Sequence, residues 1–282
     1  MSRYEPPVTN PREPISLAIR DVSKWYPIRD PATGAIGRLD VLASITQEVA
    51  RGRFVSVIGP SGCGKSTLLE IVAGLREPSG GEITVLGQRV TGPHPLLAVV
   101  FQEDSTLPWR TVLENVELGL EVRGVPRPQR RATSEQIVDL VGLAGFERAY
   151  PSELSGGMRQ RVAIARALAL EPEVLLMDEP FGALDQQTRI YIGSELLEIW
   201  ERTRKTVLFI THDMGEAVFL SDEVWVMTHR PGRIKAVVPI DLPRPRDADM
   251  LTSPRFHELT AQLWSELAPE AKLALSSNAS EL

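Results

Sequence analysis

Residues 59–66 read GPSGCGKS: a glycine, four intervening residues, then Gly-Lys-Ser. The apolar run just before it, residues 54–58, has the composition of a buried strand. Just after it, Leu68, Leu69, Ile71, Val72 and Leu75 recur with helical spacing. A glycine-rich turn that joins a strand to a helix in this pattern is a phosphate-binding loop, and few folds can present one. The chemistry explains the residue types. Gly59, Gly62 and Gly64 let backbone N–H groups turn inward toward phosphate oxygens, where the N-terminus of the next helix adds a favourable dipole. Pro60, Ser61 and Cys63 complete the loop, and Cys63, at a variable position, is read as chemically passive. Lys65 is expected on the β- and γ-phosphates of a nucleotide, the Ser66 hydroxyl on Mg2+, and Thr67 near the α-phosphate.

The rest of the chain supplies an α/β frame for that loop. Residues 1–14, with Pro6, Pro7, Pro11 and Pro14, read as an extended lead-in, and residues 15–19 as a first strand. Residues 30–38, with one proline and two glycines, read as a loop. From about 103 to 153 the character changes to a helical insert, with helices over 112–120 and 135–141 separated by an arginine- and proline-rich stretch. Apolar strands over 174–177 and 207–210 flank a helix over roughly 186–202. Strands alternating with helices predict a largely parallel sheet. After residue 240, DLPRPRD reads as a linker, and Ser253-Pro254 as the cap and first turn of a short terminal helix, giving a tail over 241–282. The stripe of Phe256, Leu259, Leu263 and Leu267 on that helix could pack on the main domain or meet another subunit.

Composition sets outer limits. A chain of 282 residues with 43% hydrophobic content can bury a sizeable core. Its net charge of −6 argues against broad attraction to nucleic acid, and no nucleic-acid partner is expected. The longest apolar runs, at 96–101 and 174–177, fall far short of the roughly 20 residues that span a bilayer as a helix. The first residues lack an apolar leader core, and the lone cysteine suits a reducing compartment, so a cytoplasmic location is expected.

Three further features bear on chemistry. The strand at 174–177 ends in Asp178 and Glu179, which places Asp178 near a nucleotide's Mg2+ and Glu179 toward the γ-phosphate, where a carboxylate can polarise an attacking water. The strand at 207–210 ends in Thr211-His212-Asp213, from which His212 could reach the same phosphate. His94, His229 and His257 show no metal-ligand spacing. Finally, Leu154-Ser155-Gly156-Gly157-Met158-Arg159-Gln160-Arg161 opens a helix at Ser155, whose first N–H groups would point outward at an anion.

With that stretch the chain resembles the ABC ATPase family over residues 15–240, with the motifs in family order. The resemblance implies an α/β P-loop NTPase (RecA-like) core with a parallel-rich sheet, a helical subdomain and an antiparallel β region. It implies ATP and Mg2+ as cofactors. It also implies a homodimer in which Ser155, Gly156 and Gly157 meet nucleotide held by the other protomer, so that two ATP are sandwiched and hydrolysis at Glu179 and His212 releases the clamp. Tyr26 resembles the aromatic that stacks on adenine. Gln102 resembles the glutamine that contacts Mg2+ or water, and Asp185 the acid of the loop between protomers. Met158 stands where many members carry glutamine.

Gln102 followed by Leu107-Pro108-Trp109, the segment RPGRI at 230–234 and LPRPR at 242–246 are similar to the nitrate, sulfonate and taurine importer group. That resemblance implies integral membrane permease subunits as partners, a solute-binding protein indirectly, a peripheral position on the cytoplasmic face of the inner membrane, and uptake of a small oxyanion. Trp109 could be a core aromatic of the insert or line the groove that receives the permease. Arg123, Arg127, Arg130 and Arg131 read as a solvated face rather than a binding patch. A DNA-associated ABC ATPase would need a long heptad insertion before Ser155, a translation-associated one usually carries two cassettes, and a P-loop kinase would leave the Ser155 stretch unexplained.

Overall fold

The computed structural model describes residues 14–29, 34–102, 105–182 and 184–280. The lead-in expected over residues 1–13, part of the expected loop near 30–33, and Glu103 and Asp104 at the start of the expected insert lie outside them.

At the centre is a six-stranded sheet built around β3 (Phe54–Ile58), every residue of which is buried. Its neighbours are β8 (Thr206–Ile210) on one side and β9 (Glu223–Met227) on the other, both parallel to it. The sheet continues from β8 through β7 (Val174–Asp178) to β6 (Leu97–Val100), and from β9 to the antiparallel edge strand β10 (Ile234–Pro239). Strands this apolar on both faces require cover on both faces. Alternation along β3 divides it accordingly. Phe54 and Ile58 join a core shared with most of the helices, while Val55 and Val57 join one shared with the helix after the glycine-rich loop and a second sheet.

The second sheet is antiparallel, in the order β2 (Ile36–Ala50), β1 (Ile15–Arg29), β4 (Gly80–Val85), β5 (Gln88–Arg89). It lies on α1 (Lys65–Val72) through Leu17, Ile19, Leu42, Ile45 and Val85. Here the expected first strand is extended: β1 runs on to Arg29, and residues 36–38, read as loop, pair with Ile28, Pro27 and neighbours as the start of β2. The pairing partner, which sequence periodicity does not contain, keeps this polar end in a hairpin.

Helices α2 (Val112–Val122), α3 (Arg127–Leu140) and α4 (Gly156–Leu168) form the helical unit. Thr111 and Glu114 make a reciprocal capping box on α2. Its fully buried Asn115 accepts from the Leu107 amide at 2.8 Å and donates to the carbonyls of Leu107, Arg110 and Thr111, which staples the turn that leaves Trp109 71% exposed. Helix α3 begins at Arg127, not near 135, because Pro128 suits a first turn. Arg130 pairs with buried Glu117, Arg131 with Glu117 and Glu135, and Arg123 donates to the Leu170 and Pro95 carbonyls. These three arginines are thus tied to their own chain.

The chain closes with α5 (Gln186–Thr203), α6 (Met214–Leu220) and α7 (Pro254–Ser280). The terminal helix is not short: it has 27 residues and continues through Pro269. A proline inside a helix costs about 3 kcal/mol. Burial of Leu263, Leu267 and Glu270 on either side of it offsets that cost. Phe256, Leu259, Leu263 and Leu267 are all buried in the main core of their own chain.

Candidate active site

The parallel register brings three strand ends together. Val57 pairs with Ile210, and Asp178 also pairs with Ile210, so the residues that follow β3, β7 and β8 emerge side by side at the carboxyl edge of the sheet. Ligands of open α/β sheets bind outside that edge. The glycine-rich loop follows β3, Glu179 follows β7, and Thr211-His212 follow β8. The loop and Glu179 line a pocket of about 290 Å3 made by Val41, Ser61, Gly62, Gly64, Lys65, Ser66, Thr67 and Glu179, and His212 adjoins it through Glu179.

The loop needs its glycines for different reasons. Gly62 and Gly64 have φ of 75° and 104°, a region that side chains disfavour. At Gly59 the backbone is ordinary, but a Cβ would stand 2.8 Å from Cys63 Sγ. The Cys63 side chain points inward, is 1% exposed, and burial pushes its thiol up despite nearby Lys65, which leaves it an unreactive packing group. Buried Lys65 donates to the carbonyls of Gly59 and Pro60 at 3.0 and 3.3 Å.

Ser66 Oγ donates to Asp178 Oδ1 at 3.2 Å. Burial pushes the Asp178 carboxyl above its usual value; the Ser66 hydroxyl opposes this and adjacent Glu179 adds to it. The pair offers hard oxygen donors, which suits Mg2+. Among the described residues no group of three or more His, Cys, Asp or Glu could hold a metal.

Glu179 adopts φ of 43°, a left-handed conformation that costs a non-glycine residue about 1–3 kcal/mol. Its amide donates to the Ile210 carbonyl at 2.9 Å, and Phe181 packs on Phe209 at 5.7 Å, which together pin the turn to β8. In that conformation Glu179 Oε2 lies 2.8 Å from His212 Nδ1. Gln102 follows β6 by two residues and approaches the Glu179 turn: a Cβ at Gly182 would be 3.3 Å from both the Gln102 amide nitrogen and the Glu179 carbonyl.

Other expected residues lie apart. Ser155 is exposed at the start of α4, accepts from the Met158 amide at 3.2 Å, and does not line the pocket of its own chain. Gly156 and Gly157 let α4 approach α5; a Cβ on Gly157 would be 2.6 Å from Ile192 Cδ1. Met158 packs half-buried on the core. Asp185 caps α5 by accepting from Gln187 and Thr188, and the Thr188 hydroxyl and amide hold its carboxyl below the usual range. Half-buried Tyr26 packs on the core that holds Cys63, with Lys24 Nζ 5.1 Å and the Arg76 guanidinium 5.5 Å from its ring centre.

A family model described as ABC transporter matches residues 42–182, which span the glycine-rich loop, the Ser155 stretch and Asp178-Glu179. The chain is 52% identical over 264 residues to an uncharacterised ABC transporter ATP-binding protein of Methanocaldococcus jannaschii, covering 94% of this chain and 96% of that one. This chain belongs to the ABC transporter ATP-binding proteins. As such it is an ATPase coupled to transport. A nitrate import ATP-binding protein of Synechocystis is 51% identical over 227 residues, covering 80% of this cassette and 83% of that protein. An aliphatic sulfonates import ATP-binding protein of Bacillus cereus is 44% identical over 245, covering 87% and 93%. A solved dimeric ATP-binding cassette in a post-hydrolysis state, bound to ADP and Pi, superposes with a TM-score of 0.66 at 30% identity, covering 80% of this cassette and all of that chain.

Four contributors carry no recognisable signal as site residues in the sequence. Val41 lines the pocket, Gly232 packs against the loop's Cys63, and Arg189 with Glu216 braces the His212 turn. Asp213-x-x-Glu216 carries a helix-capping signature that points to local order, whereas the partners of Gly232 and Arg189 have no local signal.

Proposed function

We propose that the chain is the ATP-hydrolysing subunit of an importer for a small oxyanion such as a sulfonate, taurine or nitrate. It works as a homodimer with two ATP between protomers, on the cytoplasmic face of the inner membrane, beneath integral permease subunits served by a solute-binding protein. The observation that carries the reading is a pocket lined by the Lys65 loop and Glu179, with Asp178 bonded to its Ser66 and His212 to its Glu179, while Ser155 is exposed away from it. The relatives named for nitrate and aliphatic sulfonate import support the solute class. Among the described residues no helix is long and apolar enough to cross a membrane, and between α1 and α4 there is no long heptad helix of the kind a DNA-associated ATPase would carry.

The loop amides and Lys65 bind and orient the phosphates, and Tyr26 takes the adenine. Ser66, Asp178 and Gln102 would hold Mg2+, which when bound would supply Lewis-acid neutralisation of phosphate charge. Glu179 accepts a proton from the attacking water, a role worth on the order of 10^2 to 10^4 in rate. His212, held at Glu179 Oε2, keeps that carboxylate oriented and faces the γ-phosphate. Ser155, Gly156 and Gly157 of one protomer close the site of the other, and Asp185 shapes the loop beside that junction.

The test is a pull-down of tagged Glu179→Gln protein from detergent-solubilised native membranes with ATP. Recovery of a multi-span protein, followed by sulfonate- or nitrate-dependent ATPase activity of the complex, is the expected result. Recovery of ribosomes or DNA instead overturns the transport reading.

A further inference from the structure

Arg189 stands one turn into α5 and reaches two ways. Its Nη2 donates to the Leu184 carbonyl at 3.0 Å, which anchors the guanidinium on its own helix start. From there Nη1 donates to Asp213 Oδ2 at 3.3 Å, and Nε lies 3.2 Å from Glu216 Oε1. Those two acids hold the turn that carries His212. Thr211 Oγ1 donates to Glu216 Oε2 at 2.5 Å and accepts from the Asp213 amide at 3.0 Å, and the Glu216 amide donates to Asp213 Oδ1 at 3.0 Å. The residue between Thr211 and Asp213 is the histidine at Glu179.

The side chains of Arg189 and Glu216 are only 18% and 12% exposed. They form the polar end of a pocket of about 260 Å3 whose other walls are Ile190, Phe219, Leu220, Leu251 and Phe256. The burial of Arg189 and Glu216 and the hydrogen bonds of Arg189 to Leu184 and Asp213 limit how far the guanidinium can move. The planar guanidinium hydrogen-bonds two acceptors, the Leu184 carbonyl and Asp213 Oδ2, in fixed directions while Nε stands beside Glu216, a fork that a lysine ammonium lacks.

We propose that Arg189 and Glu216 are positioning residues that tie the His212 turn to α5 and so set the histidine against Glu179. The proposal rests on the reading of Glu179 and His212 as the hydrolytic pair. Neither Arg189 nor Glu216 lines the Lys65 pocket, so nucleotide binding does not depend on them.

The experiment measures ATP hydrolysis, fluorescent ATP-analogue affinity and Tm for the full chain carrying Arg189→Ala, Arg189→Lys, Glu216→Gln or the double change Arg189→Ala/Glu216→Gln. Misplacing a reacting group by about an ångström costs on the order of 100-fold, so kcat of Arg189→Ala is expected to fall about 10- to 100-fold. KM and analogue affinity should stay within about twofold of the unchanged protein. Arg189→Lys should lie between the two, and the double variant should be no slower than the worse single one, because both act through one turn. An unchanged kcat in Arg189→Ala overturns the proposal. So does a kcat loss matched by loss of affinity and Tm, which marks general structural support. If Arg189→Ala does not fold, Arg189→Lys gives the same comparison. Lys65→Ala separates the two readings: retained analogue affinity there sinks the assignment of the pocket, whereas lost affinity there with a silent Arg189→Ala sinks the positioning role alone.

Discussion

Gly232→Ala adds one methyl group against the phosphate-binding loop. The backbone of Gly232 lies outside the left-handed region, so alanine brings no torsional penalty. Its Cβ would stand 2.6 Å from Met227 Cε and roughly an ångström inside ordinary contact with the Cys63 carbonyl oxygen. The methionine tip can swing aside; the carbonyl belongs to the loop. Gly232 cannot retreat either, because its amide donates to the Val41 carbonyl at 2.8 Å and its carbonyl accepts from the Ala43 amide at 3.0 Å. The loop must therefore move. Overpacking of this kind costs about 1–3 kcal/mol, and each kcal/mol lowers Tm by about 2–4 °C in a chain of this size. A shift of about an ångström in a phosphate cradle is expected to lower kcat/KM for ATP by at least about 10-fold. Gly92→Ala is the control, since a Cβ there meets nothing within 4 Å and φ is not positive. Analogue affinity, kcat/KM and Tm measured on both variants decide the matter. If Gly232→Ala matches Gly92→Ala in all three, the loop does not depend on that contact and the reasoning is wrong.

Three other outcomes follow from the geometry. Glu179→Gln should cut kcat by about 10^2- to 10^4-fold while ATP-analogue affinity persists, and on gel filtration with ATP it should run as a dimer. Burial of Glu216, opposed by the Thr211 hydroxyl, raises its pKa to about 7, so between the usual carboxylate range and that value the folded chain holds a proton the unfolded chain has lost. Stability should therefore fall as pH rises from about 4.5 to about 7, by up to about 3 kcal/mol from this group, and urea midpoints of Glu216→Gln should lack that slope. Glu270 accepts from the His229 amide at 3.1 Å and lies 3.3 Å from Lys235 Nζ; burial pushes its carboxyl up, but His229 and Lys235 outweigh that and hold it below the usual value. Glu270→Ala should cost about 1–3 kcal/mol at neutral pH, with the difference from the unchanged protein closing as pH falls below about 4.

The residues that chemistry restricts locally were the legible ones. The glycine-rich loop could be read because turn, strand end and helix start are contiguous, and Asp178-Glu179 because an apolar run stops abruptly at two acids. Strand existence was legible for 174–177 and 207–210, where burial on both faces leaves a continuous apolar word. The far end of β1 and the start of β2 were not, because residues 36–38 hold a strand only through pairing with a partner strand. The terminal helix was underestimated for a similar reason: Pro269 argues locally for an end, and only tertiary burial of Leu263, Leu267 and Glu270 overrides it.

The same distinction separates the two anion-directed helix starts. The start of α1 needs nothing outside its own chain to be recognised, since it follows the glycine-rich loop directly. The start of α4 is different. Gly157 clamps it against Ile192 of α5, so Ser155 cannot swing toward the Lys65 pocket of its own chain without opening that packing. A helix start fixed in an exposed position, with its first amides unclaimed by its own pocket, has a use only if another surface brings the anion to it. In the proposed homodimer the second copy would supply that surface, and the geometry of its Ser155 would be set by the packing of α4 on α5 rather than by the motif itself.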